Sequence, residues 1–270
     1  MMKISVLATS SAGNCSFVSD GTTRILIDAG LCLAETFQRL RSINEDPDTI
    51  DAVLLTHPHG DHSDGLAVML RYWRRAGGVV PVYCSQATYN ALPNAIPPPW
   101  FRPVGQLSYW SVGCLECETF AVEHDTGEPL GFTVTSGSYR ASFALDLGTI
   151  PPALGQHLAG SDFLLLEANH DPDMLRAGPY SHKLKERIAR THLSNEAACR
   201  WIEEYMNART RHLWLGHLSM TTNDHEIVRL MAAQAIARRK LEPELEVIWP
   251  AALQPSRVVL EPSRDPDKES

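Results

Sequence analysis

The sequence predicts an α/β protein in which two sheets pack between layers of helix. Short β-type runs alternate with helical segments along all 270 residues, and no linker or internal repeat divides them. Hydrophobic content of 44% and a mean hydropathy of −0.17 are enough for an ordinary buried core. Strands are expected at 3–8, 15–19, 23–28 and 52–56, where short apolar and β-branched runs end at turn residues. Helices are expected at 32–42 and 64–76, followed by a strand at 79–83 and a helix at 85–91. The stretch 92–103 holds Pro93, Pro97, Pro98, Pro99 and Pro103 with Trp100 and Phe101; it reads as an ordered irregular loop, either a lid or a plain crossover. Four more strands are expected at 115–123, 130–136, 139–145 and 162–168, then helices at 183–190 and 195–208. Ser194 or Asn195 can cap the helix carrying Trp201, Ile202 and Tyr205. A strand at 212–216, a helix at 223–240 and a strand at 245–249 close the series. One domain is expected over 1–260, with a charged, proline-containing and disordered tail over 261–270.

Composition narrows the function classes. No apolar stretch approaches the roughly 18 residues of a membrane span. Met1-Met2-Lys3 runs directly into the strand-like Ile4-Ser5-Val6-Leu7, so no secretory leader is expected. The six cysteines are scattered rather than framed, which suits a reducing cytoplasm. Cys114-Leu115-Glu116-Cys117 is a lone pair in a strand-like run and reads as structural. A formal net charge of −8 argues against holding nucleic acid by bulk electrostatics. It leaves a phosphodiester substrate open, because two bound dications reverse the sign locally. Basic residues concentrate at Arg71, Arg74 and Arg75, and again at Lys183, Lys185, Arg187 and Arg190. Either group is a solvated helix face or a track for a charged backbone.

The densest chemistry is His57-Pro58-His59-Gly60-Asp61-His62, directly after the apolar run Ala52-Val53-Leu54-Leu55. A loop at the end of a strand is where ligands are usually mounted. His57 and His59 alternate along extended chain and can point the same way. Asp61 and His62 follow the turn at Gly60 and so serve a second point in space. Nitrogen donors with a carboxylate suit zinc, manganese or iron rather than calcium.

This spacing resembles the His-x-His-x-Asp-His signature of the metallo-β-lactamase superfamily, whose fold is a four-layered αββα sandwich. The resemblance implies further site residues, each at the end of a strand-like run: Asp28 after Arg24-Ile25-Leu26-Ile27, His124 after Phe120-Ala121-Val122-Glu123, Asp146 after Ser142-Phe143-Ala144-Leu145, and His217 after His212-Leu213-Trp214-Leu215-Gly216. By position, His57, His59 and His124 would hold one divalent ion, Asp61, His62 and His217 a second, and Asp146 would bridge the two. Asp28 would orient a ligand. Ions roughly 3.5–4 Å apart can share a hydroxide that serves as nucleophile at neutral pH, with Asp61 aiming it.

Longer matches point to one branch. Val6-Leu7-Ala8-Thr9-Ser10-Ser11-Ala12-Gly13-Asn14-Cys15, Leu166-Glu167-Ala168-Asn169-His170-Asp171-Pro172, His192-Leu193-Ser194-Asn195 and Gly216-His217-Leu218-Ser219 are similar to the YycJ/WalJ group over roughly residues 2–250. That similarity implies a 5′-to-3′ DNA exonuclease with a repair role, DNA or else RNA being the substrate. The same metal ligands also serve thioesterases or lactonases and phosphodiesterases of small cyclic phosphates, which stay as alternatives. There is no room between Asp146 and His217 for the inserted domain of β-CASP nucleases. Ser10 and Thr191 stand where the group commonly has glycine; the first could reshape a turn, the second a phosphate-side contact. Ser10, Ser11 and Asn14 could offer donors to a phosphate, or simply form a turn. His192, or else His170, could protonate the leaving oxygen; His192 is preferred because it precedes a predicted helix beside a basic stretch.

Overall fold

A computed structural model describes residues 1–92, 94–250 and 254–261. The chain opens with strands β1 (Met2–Ala8), β2 (Cys15–Ser19) and β3 (Arg24–Ile27), then helix α1 (Leu33–Ser42) and strand β4 (Ala52–Leu54). A single turn α2 (Gly60–Ser63) leads into α3 (Leu66–Arg75), β5 (Val82–Cys84), α4 (Gln86–Ala91) and β6 (Phe101–Pro103). The second half runs β7 (Tyr109–Val112), β8 (Leu115–Ala121), β9 (Leu130–Ser136), β10 (Tyr139–Ala144), α5 (Pro152–Ala159) and β11 (Phe163–Glu167). It continues through α6 (Pro172–Ala177), α7 (His182–Thr191), α8 (Asn195–Glu204), β12 (His212–Gly216), α9 (His225–Arg239), β13 (Glu244–Val247) and β14 (Ser256–Leu260).

The strands form two seven-stranded sheets, ordered β14-β1-β2-β3-β4-β5-β6 and β13-β12-β11-β10-β9-β8-β7. Their apolar residues fall into three buried clusters, one between the sheets and one beneath the helices on each outer face. Alternation along the central strands divides the residues between them. Phe163 and Leu165 face the other sheet while Leu164 and Leu166 face the helices; Ala52 and Leu54 likewise oppose Val53 and Leu55. Strands apolar on both faces belong inside a layered stack, and the expected αββα sandwich is the architecture present.

The sequence pattern missed several elements. Residues 94–103 are a crossover rather than a lid: Ile96 and Trp100 pack into the core, and Phe101 pairs with Val82 to add β6 to the sheet edge. Helix α5 escaped because Pro151 and Pro152 resemble a loop, although proline is well suited to a first helical turn. Strand β14 lies in a charged segment and is held by its antiparallel ladder to β1, from Met2 opposite Leu260 to Val6 opposite Ser256. Pro93 and residues 262–270 of the expected 261–270 tail lie outside the described residues. Of the lone cysteine pair, Cys117 is buried between the sheets and Cys114 is exposed at a hairpin; all six cysteines are free thiols.

Candidate metal centre

The site forms where the parallel strands of both sheets end. β3 and β4 pair in parallel with Ile27 opposite Leu54, so Asp28 and the segment Thr56-His57 emerge side by side. In the other sheet β10, β11 and β12 are parallel neighbours, with Ala144 opposite Leu166 and Glu167 opposite Gly216. Their ends deliver Asp146, Glu167 and His217 to one edge, the usual place for a ligand site on parallel strands. Thr9, just after β1, joins the two sheets here by accepting a 2.9 Å hydrogen bond from the His217 amide. Asp28, Asp146 and His217 turn out of their strands at φ of 63°, 51° and 56°. Left-handed backbone at non-glycine residues costs on the order of 1–3 kcal/mol and persists where the surroundings enforce it.

Three groups of donors converge, one of them Asp146, Glu167, His192 and His217. His57, His59 and His124 each bring a ring nitrogen within 4.8 Å of the others, and Asp61, His62, Asp146 and His217 do the same. Asp146 touches both: its Oδ2 lies 3.6 Å from His57 Nε2 and 2.5 Å from His62 Nε2. His59 Nδ1 is 3.2 Å from His124 Nε2, and His217 Nε2 is 3.4 Å from Asp61 Oδ2.

The outer hydrogen bonds set which nitrogen of each ring faces inward. The Thr56 hydroxyl donates its one proton to Asp28 Oδ1 at 2.9 Å. His57 Nδ1, 2.9 Å from the same hydroxyl oxygen, must therefore donate to it. His57 Nε2 is thus a lone-pair atom, and it is buried without a hydrogen-bond partner. His62 Nδ1 donates to Asp28 Oδ2 at 2.7 Å, His124 Nδ1 to the Thr191 carbonyl at 2.8 Å, and His217 Nδ1 to Glu167 Oε1 at 3.1 Å. Each of these rings presents Nε2 to the centre. Fixing the tautomer through the outer nitrogen is what metal-ligating histidines require, so the donor set fits divalent cations.

By the protein's own charges, burial opposes the charged form of His62, but Asp28 and Asp146 outweigh it and raise its pKa to about 10. Burial and Asp146 act the same way on His217, whose pKa lies well above the ordinary value. Burial, with His62 beside it, holds His57 well below its usual value. Cations entering the site must therefore displace protons from His62 and His217. Zinc or manganese uptake is expected to release protons and to weaken as pH falls from 8 toward 6. Calorimetry in buffers of different ionisation enthalpy measures this directly, and a pH-independent affinity would contradict it.

Glu167 is the site residue that sequence reasoning did not single out. It is fully buried; Oε1 accepts from His192 Nδ1 at 2.8 Å and from His217 Nδ1, while Oε2 accepts the amides of Leu147 (2.9 Å) and Leu193 (3.2 Å). Burial raises its pKa, but His192 and these hydrogen bonds win and bring it to about 2. A glutamate ending the run Phe163-Leu164-Leu165-Leu166 resembles an ordinary strand end, so only its place within the Leu166–Pro172 match could have flagged it. His192 in turn is raised to about 9: burial opposes its charge, and Glu167 and Asp146 restore it. His170 is buried away from these contacts; desolvation brings it to about 4, and its Nδ1 has no partner.

The polar loop is the turn that the sequence allowed, closed by the Gly13 amide donating to the Ser10 carbonyl at 3.1 Å, and it also serves the site. Asn14 donates to Asp61 Oδ2 at 3.2 Å and to the Ser10 carbonyl at 2.9 Å, so it braces Asp61 rather than facing a phosphate. Ser10 is buried and engaged with Asn14 and Ala12, which leaves Ser11 lining the cleft. A side chain at Gly30 would sit 1.7 Å from the Asp61 carbonyl, so the close approach that seats Asp61 needs glycine. Thr191 meets His124 through its backbone carbonyl, a contact any residue supplies.

The cleft over these groups has a volume of about 280 Å³ and is walled by Tyr180, Leu184, Arg187 and Ile188 from the α7 side. The family model for the β-lactamase superfamily domain matches residues 23–217, spanning every one of these donors. The chain belongs to the metallo-β-lactamase superfamily. Within it, the chain falls in the YycJ/WalJ-like group. It is 30% identical over 246 residues to exodeoxyribonuclease YycJ of Bacillus anthracis, covering 88% of this chain and 90% of that one. It is 29% identical over 252 residues to exodeoxyribonuclease WalJ of Streptococcus pneumoniae, with the same coverage. The metallo-β-lactamase fold protein YhfI of Bacillus subtilis superposes with a TM-score of 0.72 at 17% identity, over 93% of this chain and 98% of that one. This member of the superfamily is a metal-dependent hydrolase. No helix among its described residues is long and apolar enough to cross a membrane.

Proposed function

We propose that the chain is a dinuclear-metal phosphodiesterase that removes nucleotides from the 5′ end of DNA, a single domain over 1–260 that acts in cytoplasmic DNA repair. The observation that carries this reading is the shared Asp146 Oδ2, which faces ring nitrogens of both donor groups. His57, His59 and His124 would hold one ion and Asp61, His62 and His217 the other, Asp146 serving both. Zinc and manganese suit the donors, as does iron. Such ions supply Lewis acidity at a phosphoryl oxygen and water activated near neutral pH. Similarity to two exodeoxyribonucleases supports DNA as the substrate class.

The chain's own groups do the rest. Asn14 fixes the Asp61 carboxylate so that it can orient the attacking water. Glu167 takes the Nδ1 proton of His192 in a hydrogen bond and keeps the ring cationic, leaving Nε2–H to protonate the departing oxygen. His170 has no such partner and lines a different cavity, which favours His192 as the acid. The cleft lining also favours a phosphodiester over a thioester: it is built of histidine, aspartate, arginine and serine, with Leu184 and Ile188 its aliphatic side chains.

The test is hydrolysis of a 5′-labelled DNA duplex by chelator-stripped protein resupplied with manganese or zinc, with Asp146→Ala alongside to exclude contamination. Stepwise nucleotide release by the wild type alone supports the proposal; turnover of a thioester or cyclic phosphate with no attack on DNA rejects it. His192→Ala should slow DNA hydrolysis roughly 10²–10³-fold. It should cost far less with bis(p-nitrophenyl) phosphate, whose leaving group needs no proton. Equal losses on both substrates would remove His192 as the acid.

A further inference from the structure

Helix α7 carries Lys183, Lys185, Arg187 and Arg190 within ten residues, in a chain of net charge −8. Thr191 is its one buried residue, so the helix contributes little to the core. Lys183, Arg187 and Arg190 recur at i, i+4 and i+7 and therefore share one face. Along that face lies a second cavity of about 410 Å³, lined by these three cations with Leu184 and Glu186. Leu184 and Arg187 also line the metal cleft, so the two spaces adjoin. Lys185 points elsewhere, donating to the Arg176 carbonyl at 2.6 Å, and Arg187 is paired with Asp125 at 2.6 Å. Lys183 and Arg190 are exposed and have no ion-pair partner among the described residues.

We propose that this face of α7 is the track along which a single polynucleotide strand reaches the metal cleft, with Lys183 and Arg190 holding backbone phosphates. The proposal rests on the phosphodiesterase reading and names how the polymer is recognised. Seven residues of helix span about 10 Å, on the order of three phosphate steps at the ~3.4 Å rise of a stacked strand. Tyr180, at the junction with the cleft, offers a face on which a base can stack. The other basic group does not compete. Arg71, Arg74 and Arg75 line none of the described cavities, and α3 carries the last two roughly 12 Å along its axis from Leu66, away from the metal loop.

The experiment is fluorescence anisotropy of a fluorescein-labelled, hydrolysis-resistant phosphorothioate single strand titrated with metal-loaded protein over a range of KCl. The variants are Lys183→Gln/Arg190→Gln and, as the control, Arg71→Gln/Arg74→Gln. The α7 variant is expected to bind at least about tenfold more weakly. The slope of log affinity against log salt should shrink by about 1.4, from ~0.7 per phosphate contact on single strands. The α3 variant should match the wild type in both. Wild-type affinity and slope in the α7 variant, or the loss appearing in the α3 variant, would overturn the track while leaving the phosphodiesterase reading intact. No binding or cleavage of any strand by the wild type would overturn both. A circular dichroism melt matching the wild type establishes that each variant is folded; both pairs change exposed side chains only.

Discussion

Asp146→Asn is expected to strip the centre of metal and to lower hydrolysis by well over 100-fold. Losing a residue that merely supports a ligand typically costs 10–100-fold, and Asp146 is the group shared by both donor sets. Asparagine keeps the shape and tolerates the left-handed backbone at φ 51°, so the fold is retained. It offers one neutral oxygen where a carboxylate offers two charged ones. Asp146→Ala goes further: it removes the shared oxygen altogether and leaves His62 with Asp28, and His217 with Glu167 and Asp61, as their remaining carboxylate partners. Mass-spectrometric metal analysis after dialysis should find about two ions per wild-type chain in the dinuclear reading. Asp146→Asn with full metal content and full turnover would end that reading.

Glu167→Gln should reduce turnover roughly 10–100-fold while most of the protein stays folded. Four donors converge on this carboxylate: two histidine Nδ1 groups on Oε1, and the amides of Leu147 and Leu193 at Oε2. Glutamine has one acceptor oxygen and an NH2 group that only donates, so either orientation of its amide sets an N–H against N–H groups. A buried mismatch of that kind costs on the order of 1–3 kcal/mol. It also removes the charge that keeps His192 cationic. The signature is therefore chemical as well as structural: the variant should be impaired on DNA more than on bis(p-nitrophenyl) phosphate, as His192→Ala is. A fall in melting temperature with unchanged kinetics would assign Glu167 to stability alone.

These two residues also mark how far the sequence could be read. The loop from His57 to His62 was legible because its donors are packed within one turn of chain. Asp146 and His217 were legible because each follows a short apolar strand in the order the family resemblance requires. Glu167 was not, because a carboxylate at the end of Phe163-Leu164-Leu165-Leu166 carries no local mark of what lies beside it. The strands of the sandwich core announced themselves through apolar runs, whereas β6, β7 and β14 are short or charged and exist through the ladders that neighbours offer them.

What the sequence determined by itself is the layered α/β fold, the family and the side-chain types gathered at the candidate centre. These depend on residue type and on spacing along the chain, which a sequence contains in full. Tertiary structure alone decided that Asp146 Oδ2 lies between His57 and His62, that Asn14 steadies Asp61, and that Glu167 joins His192 to His217. It also decided which basic helix borders the cleft. Those facts depend on the register of parallel strands and on the approach of two sheets, distances between residues that lie far apart along the chain.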